Sequence, residues 1–396
     1  MNHNATAADL LSRSAPSTDG YGAFLFWPEN LVWSNQLNRL IGYASLGAAD
    51  FSEIWSVACR LPVGDAAAWE KNFCELAAVI DAEAIDAEKA GHVVTATEKW
   101  SRATTYYRFA SQLAAFRGTR GKSVTESLRC FLKATSRSEL RVDPTDVPFQ
   151  DKALAGYLIR PRGTTGARPA VIVSGGIDTY AEEMYYKIGL SLGRRGYVVL
   201  LLDGPGQGES ARRGINGRHP YETACAAAID YLSALPDVDA RRVAMVGQSL
   251  GGYFATRAAA FERRLAACAI WGATGNFFAQ VGANATADSP LMSQLGQMEA
   301  YFGVRGVDAV REWLRGMTLD GVPERIRCPT LILHGELDAQ IPVEAARWTY
   351  DHIISAPKRL VIVPAGKPGA THCQLDAPVV AQHILCDFLD EELGSS

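Results

Sequence analysis

The sequence predicts an α/β protein, with a mostly parallel, doubly wound sheet behind a helical N-terminal domain. Three observations carry this prediction. With 396 residues the chain is too long for one average domain of roughly 150 residues and comfortable for two. Near residue 140 its character changes, from alanine-rich helical periodicity to a repeated alternation of strand, loop and helix. Most of the predicted strands are unbroken apolar runs, as expected where helices cover both faces of a sheet.

Residues 1–140 read as helices. Ala66–Ala90 interleaves strong helix formers with charges at helical spacing. Val94–Phe116 places Ala96, Trp100, Ala103, Tyr107 and Ala110 on one stripe, which suits a helix packed closely on its neighbour. Ser123–Ala134 resumes the pattern after the break FRGTRGKS. Residues 141–396 form the second domain. Its predicted strands are Ala153–Ile159, Ala170–Val173, Tyr197–Asp203, Arg242–Gly247, Ala266–Gly272, Thr330–His334 and Arg359–Val363. Helices are predicted between them, at Tyr180–Leu192, Tyr221–Ala234 and Val343–Ile354. Residues 274–327 interrupt the rhythm without a strand and read as a helical cap insertion over a site.

Composition removes several functions. The chain is 48% hydrophobic and 21% charged, with 39 basic against 43 acidic residues and a net charge of −4. That balance argues against nucleic acid as a partner, and no polybasic stretch addresses a membrane surface. Eight cysteines are scattered without a C-x-x-C pair, so neither a disulfide framework nor a zinc site is predicted. The N-terminus lacks the apolar core of a secretory signal, and no apolar run reaches the roughly 20 residues of a spanning helix. A cytoplasmic protein is expected, without metal or cofactor.

The most informative segment is Arg242–Gly252, RVAMVGQSLGG, where a strand runs through G-Q-S-L-G into a helix. In that context G-x-S-x-G reads as a nucleophile elbow presenting Ser249. A serine hydroxyl is a poor nucleophile at neutral pH. It needs a base, and the base needs an orienting acid. Downstream, TLILHGELDAQIP carries Asp338 in a loop after a strand, and RLVIVPAGKPGATH carries His372 in another. Both lie at carboxyl ends of strands, where open α/β sheets place their sites. Glu336 competes with Asp338 for the acid role. His334 reads as a buried strand-end histidine bonded to backbone, and His352 and His383 as helical surface residues. His3, His92 and His219 are isolated.

A tetrahedral intermediate needs oxyanion donors. The backbone N–H of Leu250 is one candidate, and the N–H of Gly176 or Ile177, in the VSGGID loop, is the second. Asp178, Tyr180, Glu182 and Glu183 follow; they are candidates for substrate contact, or helix-opening acids favoured by the helix dipole. Asp203–Ser210, DGPGQGES, is glycine-rich after a strand, but its G-x-G-x-G spacing is not a dinucleotide fingerprint. Phe277 and Phe278 in the insertion, with Met292, Met298, Tyr301 and Phe302, are candidate pocket lining. The early aromatics Tyr21, Phe24, Phe26, Trp27, Trp33, Phe51 and Trp55 read mainly as helical-domain core. The small-molecule substrate expected from this set is a bulky apolar or aromatic carbonyl compound.

As a set, SGGID, DGPGQGES, GQSLGG, HGELD and the late TH resemble the α/β-hydrolase superfamily over residues 141–393. The helical N-terminal domain and the S-G-G-x-D loop resemble a narrower group, which contains 2,6-dihydroxypseudooxynicotine hydrolase, fungal heptaketide hydrolases and FrsA-like esterases. The resemblance implies an α/β-hydrolase fold, a triad of Ser249, Asp338 and His372, and a homodimer formed through the helical domain. Several members of the group cleave a carbon–carbon bond beside a ketone, and that is the reaction expected here. A carboxylesterase, thioesterase or acyltransferase acting on a bulky apolar acyl group is the alternative. A non-catalytic binding protein on the same fold fits less well, because no triad member is missing. Ser174 stands where many lipases carry a histidine before the oxyanion glycines, which argues against a lipase of that type. An additional acid near the serine, used by some carbon–carbon hydrolases, has no clear position in this sequence.

Overall fold

The computed structural model describes residues 25–115, 123–163, 165–272, 295–354 and 357–394. Within them, one sheet contains eight strands: β1 (Leu140–Phe149), β2 (Lys152–Pro161), β3 (Arg168–Ser174), β4 (Val198–Leu202), β5 (Val238–Gln248), β6 (Leu265–Trp271), β7 (Thr330–Gly335) and β8 (Lys358–Val363). Their spatial order is β1-β2-β4-β3-β5-β6-β7-β8. The hairpin β1–β2 and the β2–β4 pair are antiparallel, and every other pairing is parallel.

Alternation along the central strands divides the interior into two cores. Val171, Val173, Val199, Leu201, Ala244 and Val246 face one side, while Ala170, Ile172, Val198, Leu200, Val243 and Met245 face the other. Because both faces are buried, these strands read in the sequence as continuous apolar runs. One strand lies outside the expected set. β1, LRVDPTDVPF, contains two prolines, which a strand tolerates at a sheet edge where one side of its backbone needs no partner.

Among the described residues, the longer helices before the sheet are α1 (Leu31–Gly42), α2 (Phe51–Ala58), α3 (Ala66–Lys89), α4 (Val93–Ala110) and α5 (Ser123–Thr135). Side chains cap the first three. Asn30 accepts from the Trp33 N–H, Asp50 from the Glu53 N–H, and Asp65 from the N–H groups of Ala67 and Ala68. The alanine stripe of α4 is buried together with Trp100, so α3 and α4 approach closely. Phe26, Trp27, Trp33 and Trp69 pack ring against ring within this layer. Their core is continuous with the first face of the sheet. Phe51 is an exception, half exposed and stacked on Trp55. Tyr21 and Phe24 lie outside the described residues.

The same face carries an interrupted helix, α6 (Ala181–Met184), which passes through one π-helical segment (Tyr185–Gly189) into Leu190–Arg194. The last helix, α12 (Pro378–Leu393), packs there too. The opposite face carries α7 (Glu222–Ser233), α8 (Leu250–Phe261) and α11 (Val343–His352). The described part of the insertion forms α9 (Leu295–Phe302) and α10 (Val307–Arg315), packed onto that second core through Met298, Tyr301, Phe302, Val310 and Leu314. Among the described residues no helix is long and apolar enough to cross a membrane.

Candidate active site

Ser249 occupies the turn between β5 and α8 with φ 58° and ψ −118°. A non-glycine residue there stores roughly 1–3 kcal/mol of backbone strain, which surrounding contacts must hold. The Ser249 N–H donates to the Trp271 carbonyl at 2.8 Å, and the Ser249 carbonyl accepts from the Gly252 N–H at 2.7 Å. The motif's glycines are required by contact. A Cβ on Gly247 would lie 1.8 Å from the Gly251 carbonyl oxygen, and one on Gly251 would lie 2.4 Å from that of Ser174.

The three residues predicted far apart in sequence meet at this turn. His372 Nε2 lies 2.9 Å from Ser249 Oγ, and His372 Nδ1 lies 2.6 Å from Asp338 Oδ2. Asp338 is fixed in turn by the N–H groups of Gln340 and Ile341, which donate to Oδ1 at 2.8 and 2.9 Å. Burial opposes the charge on both partners of the pair. Each offsets that cost for the other, so the Asp338 carboxyl sits below its usual range and the His372 imidazole well above its own. Glu336, the competing acid, is exposed and accepts from the Ala365 N–H at 2.6 Å instead. His334 is buried and bonds the Ile341 carbonyl at 2.9 Å; burial holds its pKa below the usual value.

The loop after β3 passes directly over the serine. A Cβ on Gly176 would lie 3.5 Å from Ser249 Oγ. Gln207 Nε2 donates to the carbonyls of Gly175 and Gly176 at 2.7 and 2.9 Å. In a trans peptide the N–H points opposite to the C=O, so the N–H groups of Gly176 and Ile177 face away from Gln207. Leu250 begins α8, where N–H groups have no acceptor within their own helix. The glycine-rich DGPGQGES loop is thus a scaffold. Gln207 holds the SGGID backbone, and Asp203 accepts from the N–H groups of Ala181 and Glu209 at 2.9 and 2.8 Å.

The cavity beside Ser249 and His372 has a mixed lining, in contrast to the apolar, aromatic pocket expected from the sequence. Asn38, Arg39, Asp178, Lys187, Gln248 and Gln297 line it beside Ile177, Leu337, Ala339 and Leu375, and no Phe, Tyr or Trp does so among the described residues. Ile177 and Asp178 sit at its wall. Tyr180 and Glu182 do not. They line a second cavity, where Tyr157 donates to Glu182 at 2.7 Å and the Arg108 guanidinium lies over the Tyr180 ring at 4.3 Å. Met298, Tyr301 and Phe302 are core residues of the second face. Phe277, Phe278 and Met292 lie outside the described residues.

Arg39 and Lys187 escaped the sequence reading. Arg39 Nη1 bonds Asp178 at 2.7 Å and Nη2 bonds Glu183 at 2.6 Å, so α1 is tied to the loop that follows the oxyanion glycines. Arg108 donates to the Asp178 carbonyl and pairs with Glu183 at 2.9 Å, and Gln112 reaches Asp178 Oδ2 at 2.5 Å. The available signal was a charge on an apolar face. Arg39 stands between Leu37 and Leu40, both fully buried, and Lys187 is the single charge in MYYKIGL.

A strand–turn–helix nucleophile, with its base and acid on loops at the carboxyl ends of later strands of this sheet, defines an α/β hydrolase. Residues 64–344 match the family described as "Esterase FrsA-like", and the chain belongs to that family. It is 33% identical over 257 residues to the α/β hydrolase xenA of Xenoacremonium sinensis, covering 62% of this chain and 60% of that protein. It is 27% identical over 400 residues to the hydrolase LUC6 of a Fusarium species, covering 90% and 95%. The match with the α/β hydrolase ucsC of an Acremonium species covers 53% of that protein, so the chain spans little more than half the length of such relatives. The solved structure of 2,6-dihydroxy-pseudo-oxynicotine hydrolase superimposes with a TM-score of 0.74 at 24% identity, over 90% of this chain and 95% of the other, and shares its fold.

Proposed function

We propose that this chain is a serine hydrolase that cleaves the carbon–carbon bond between the two carbonyls of a 1,3-dicarbonyl substrate. His372 takes the Ser249 proton as Oγ attacks one carbonyl carbon, and Asp338 holds the imidazole tautomer and stabilises the imidazolium. The tetrahedral oxyanion is received by the N–H groups of Leu250 and of Gly176 or Ile177, each worth about 3 kcal/mol in comparable sites. Collapse breaks the carbon–carbon bond, with the electron pair leaving as an enolate, and His372 returns the proton to the enolate carbon. Water, deprotonated by His372, then releases the acyl group as a carboxylic acid.

The observation that carries this reading is that Arg39, Lys187 and Gln248 line the cavity that holds the serine. An enolate spreads its charge onto an oxygen away from the breaking bond and gains from further donors. A simple alkoxide is quenched by the histidine alone. Likeness to 2,6-dihydroxy-pseudo-oxynicotine hydrolase supports the fold on which the reading rests. Ester hydrolysis is the second reading, favoured by the family description itself.

Incubation of the protein and its Ser249→Ala variant with aryl esters and aromatic 1,3-diketones, with products followed by mass, separates the two. Diketone cleavage that vanishes in the variant is expected. Ester turnover with inert diketones would leave an esterase.

A further inference from the structure

Lys187 is the most unusual charged group in the molecule. It is 2% exposed and lines the nucleophile's cavity, yet its ammonium makes one hydrogen bond among the described residues, to Gln248 Oε1 at 3.1 Å. The carboxylates that act on it are committed elsewhere: Asp178 and Glu183 bond Arg39, and Glu183 also pairs with Arg108. Arg39 and Arg108 thus pair with these carboxylates, and Glu182 also acts on Arg108, whereas Lys187 has no ion-pair partner among the described residues. Burying an uncompensated charge is expensive.

Gln248, directly before the nucleophile, sharpens the picture. A lysine ammonium can only donate, so the amide oxygen of Gln248 must face it and the amide NH2 must face away. That NH2 is buried in the cavity lining without an acceptor among the described residues. A second amide in the lining, Gln297, also has a buried nitrogen without a partner among the described residues. Lys187 itself sits in the π-helical segment Tyr185–Gly189, a departure from regular helix that recurs at functional sites. Donors without acceptors thus converge on the cavity of a serine whose own oxyanion donors lie on the Gly176 and Leu250 side.

We propose that Lys187 and the Gln248 amide form a second oxyanion subsite, which receives the oxygen of the departing enolate. The inference rests on the carbon–carbon reading above and narrows its substrate to 1,3-dicarbonyl compounds whose second carbonyl oxygen reaches Lys187 when the first is at Ser249. As the bond breaks, the electron pair passes to the central carbon and is shared with that oxygen. Lys187 and Gln248 donate hydrogen bonds to it and keep their protons, while His372 protonates the carbon.

The groups facing Lys187 set its titration. Burial and the Arg39 guanidinium lower its pKa to about 8, against the opposing pull of Glu183, Asp178 and Cys373. The Tyr43 ring, 5.8 Å from Nζ, is the neighbour contributed by the segment after α1; Gln382 of α12 bonds only the Lys187 carbonyl, and His372 lines the same cavity. The ammonium is present below that value and lost above it.

The test compares Lys187→Met and Lys187→Gln with the unmodified protein on one aromatic 1,3-diketone and one aryl ester, with thermal melts to follow folding. The expected result is that kcat for the diketone falls about 100-fold further than kcat for the ester, the cost of losing one oxyanion donor. In the unmodified protein, the ratio of diketone to ester kcat/KM is expected to fall as pH rises through about 8, and this readout remains if neither variant folds. Equal losses on both substrates, or a ratio flat with pH, would overturn the subsite while leaving carbon–carbon cleavage standing. No diketone cleavage by the unmodified protein would overturn both.

Discussion

At the scale of single residues, the site depends on one buried imidazole held between a serine and a carboxylate. Asp338→Asn keeps the shape of the loop but removes the charge that orients and supports His372, and kcat is expected to fall about 10⁴-fold. The pH dependence follows from the same pair. Because Asp338 raises the pKa of His372, the neutral base appears only as pH rises through that raised value, so the acid limb of kcat/KM lies above the ordinary histidine range. The contribution of His372 to stability has the opposite sense. It is present below the unfolded pKa of histidine, about 6.5, and is lost as pH rises through the higher folded value. A pH–rate profile read beside a denaturant titration at several pH values checks both directions.

Among the elements, the elbow is the least tolerant. Gly247→Ala places a Cβ 1.8 Å from a backbone oxygen of α8, and neither β5, paired on both sides, nor the helix can move away. A loss of at least about 3 kcal/mol is expected, measured as a shift in the urea midpoint. A wild-type midpoint would mean that the turn can open without cost. This element was legible because its geometry forces its residue types: glycines where backbones touch, a serine between them, and apolar runs before and after. Asp338 and His372 were legible for a related reason, since each follows an apolar run, the fully buried β7 and the half-buried edge strand β8. What escaped the sequence lacks such local forcing. The strand β1 has no apolar run, because an edge strand needs none. The π-helical segment has no residue signature, and Arg39 and Lys187 acquire meaning only when α1 and α6 meet over the sheet. The mixed lining of the cavity likewise belongs to no single segment; among the described aromatic residues weighed as lining, Phe26, Trp27 and Trp33 are absorbed by the core of the helical layer and Tyr301 and Phe302 by the second core of the sheet.

For the whole molecule, the ion cluster joins the N-terminal helices to the oxyanion loop. Arg39→Met leaves Glu183 and Asp178 short of a partner and is expected to cost about 3–5 kcal/mol, the range for breaking one member of a buried pair. Burial alone would raise the Glu183 pKa, but Arg39, Arg108 and Lys187 together depress it. Its contribution is therefore full above the unfolded carboxylate value, about 4.3, and is lost progressively as pH falls from there through the depressed folded value. Urea titrations at pH 7 and pH 4 are expected to show the Arg39→Met penalty shrinking at the lower pH; a penalty independent of pH would mean that packing, not charge, holds the layers together. The claim on which every other depends is that Ser249 is an activated nucleophile. The most direct measurement is labelling with a fluorophosphonate, followed by intact mass and peptide mapping. A single adduct on Ser249, absent in Ser249→Ala and markedly slowed in Asp338→Asn, is the predicted result. An unlabelled protein, or an adduct on another residue, would contradict the account.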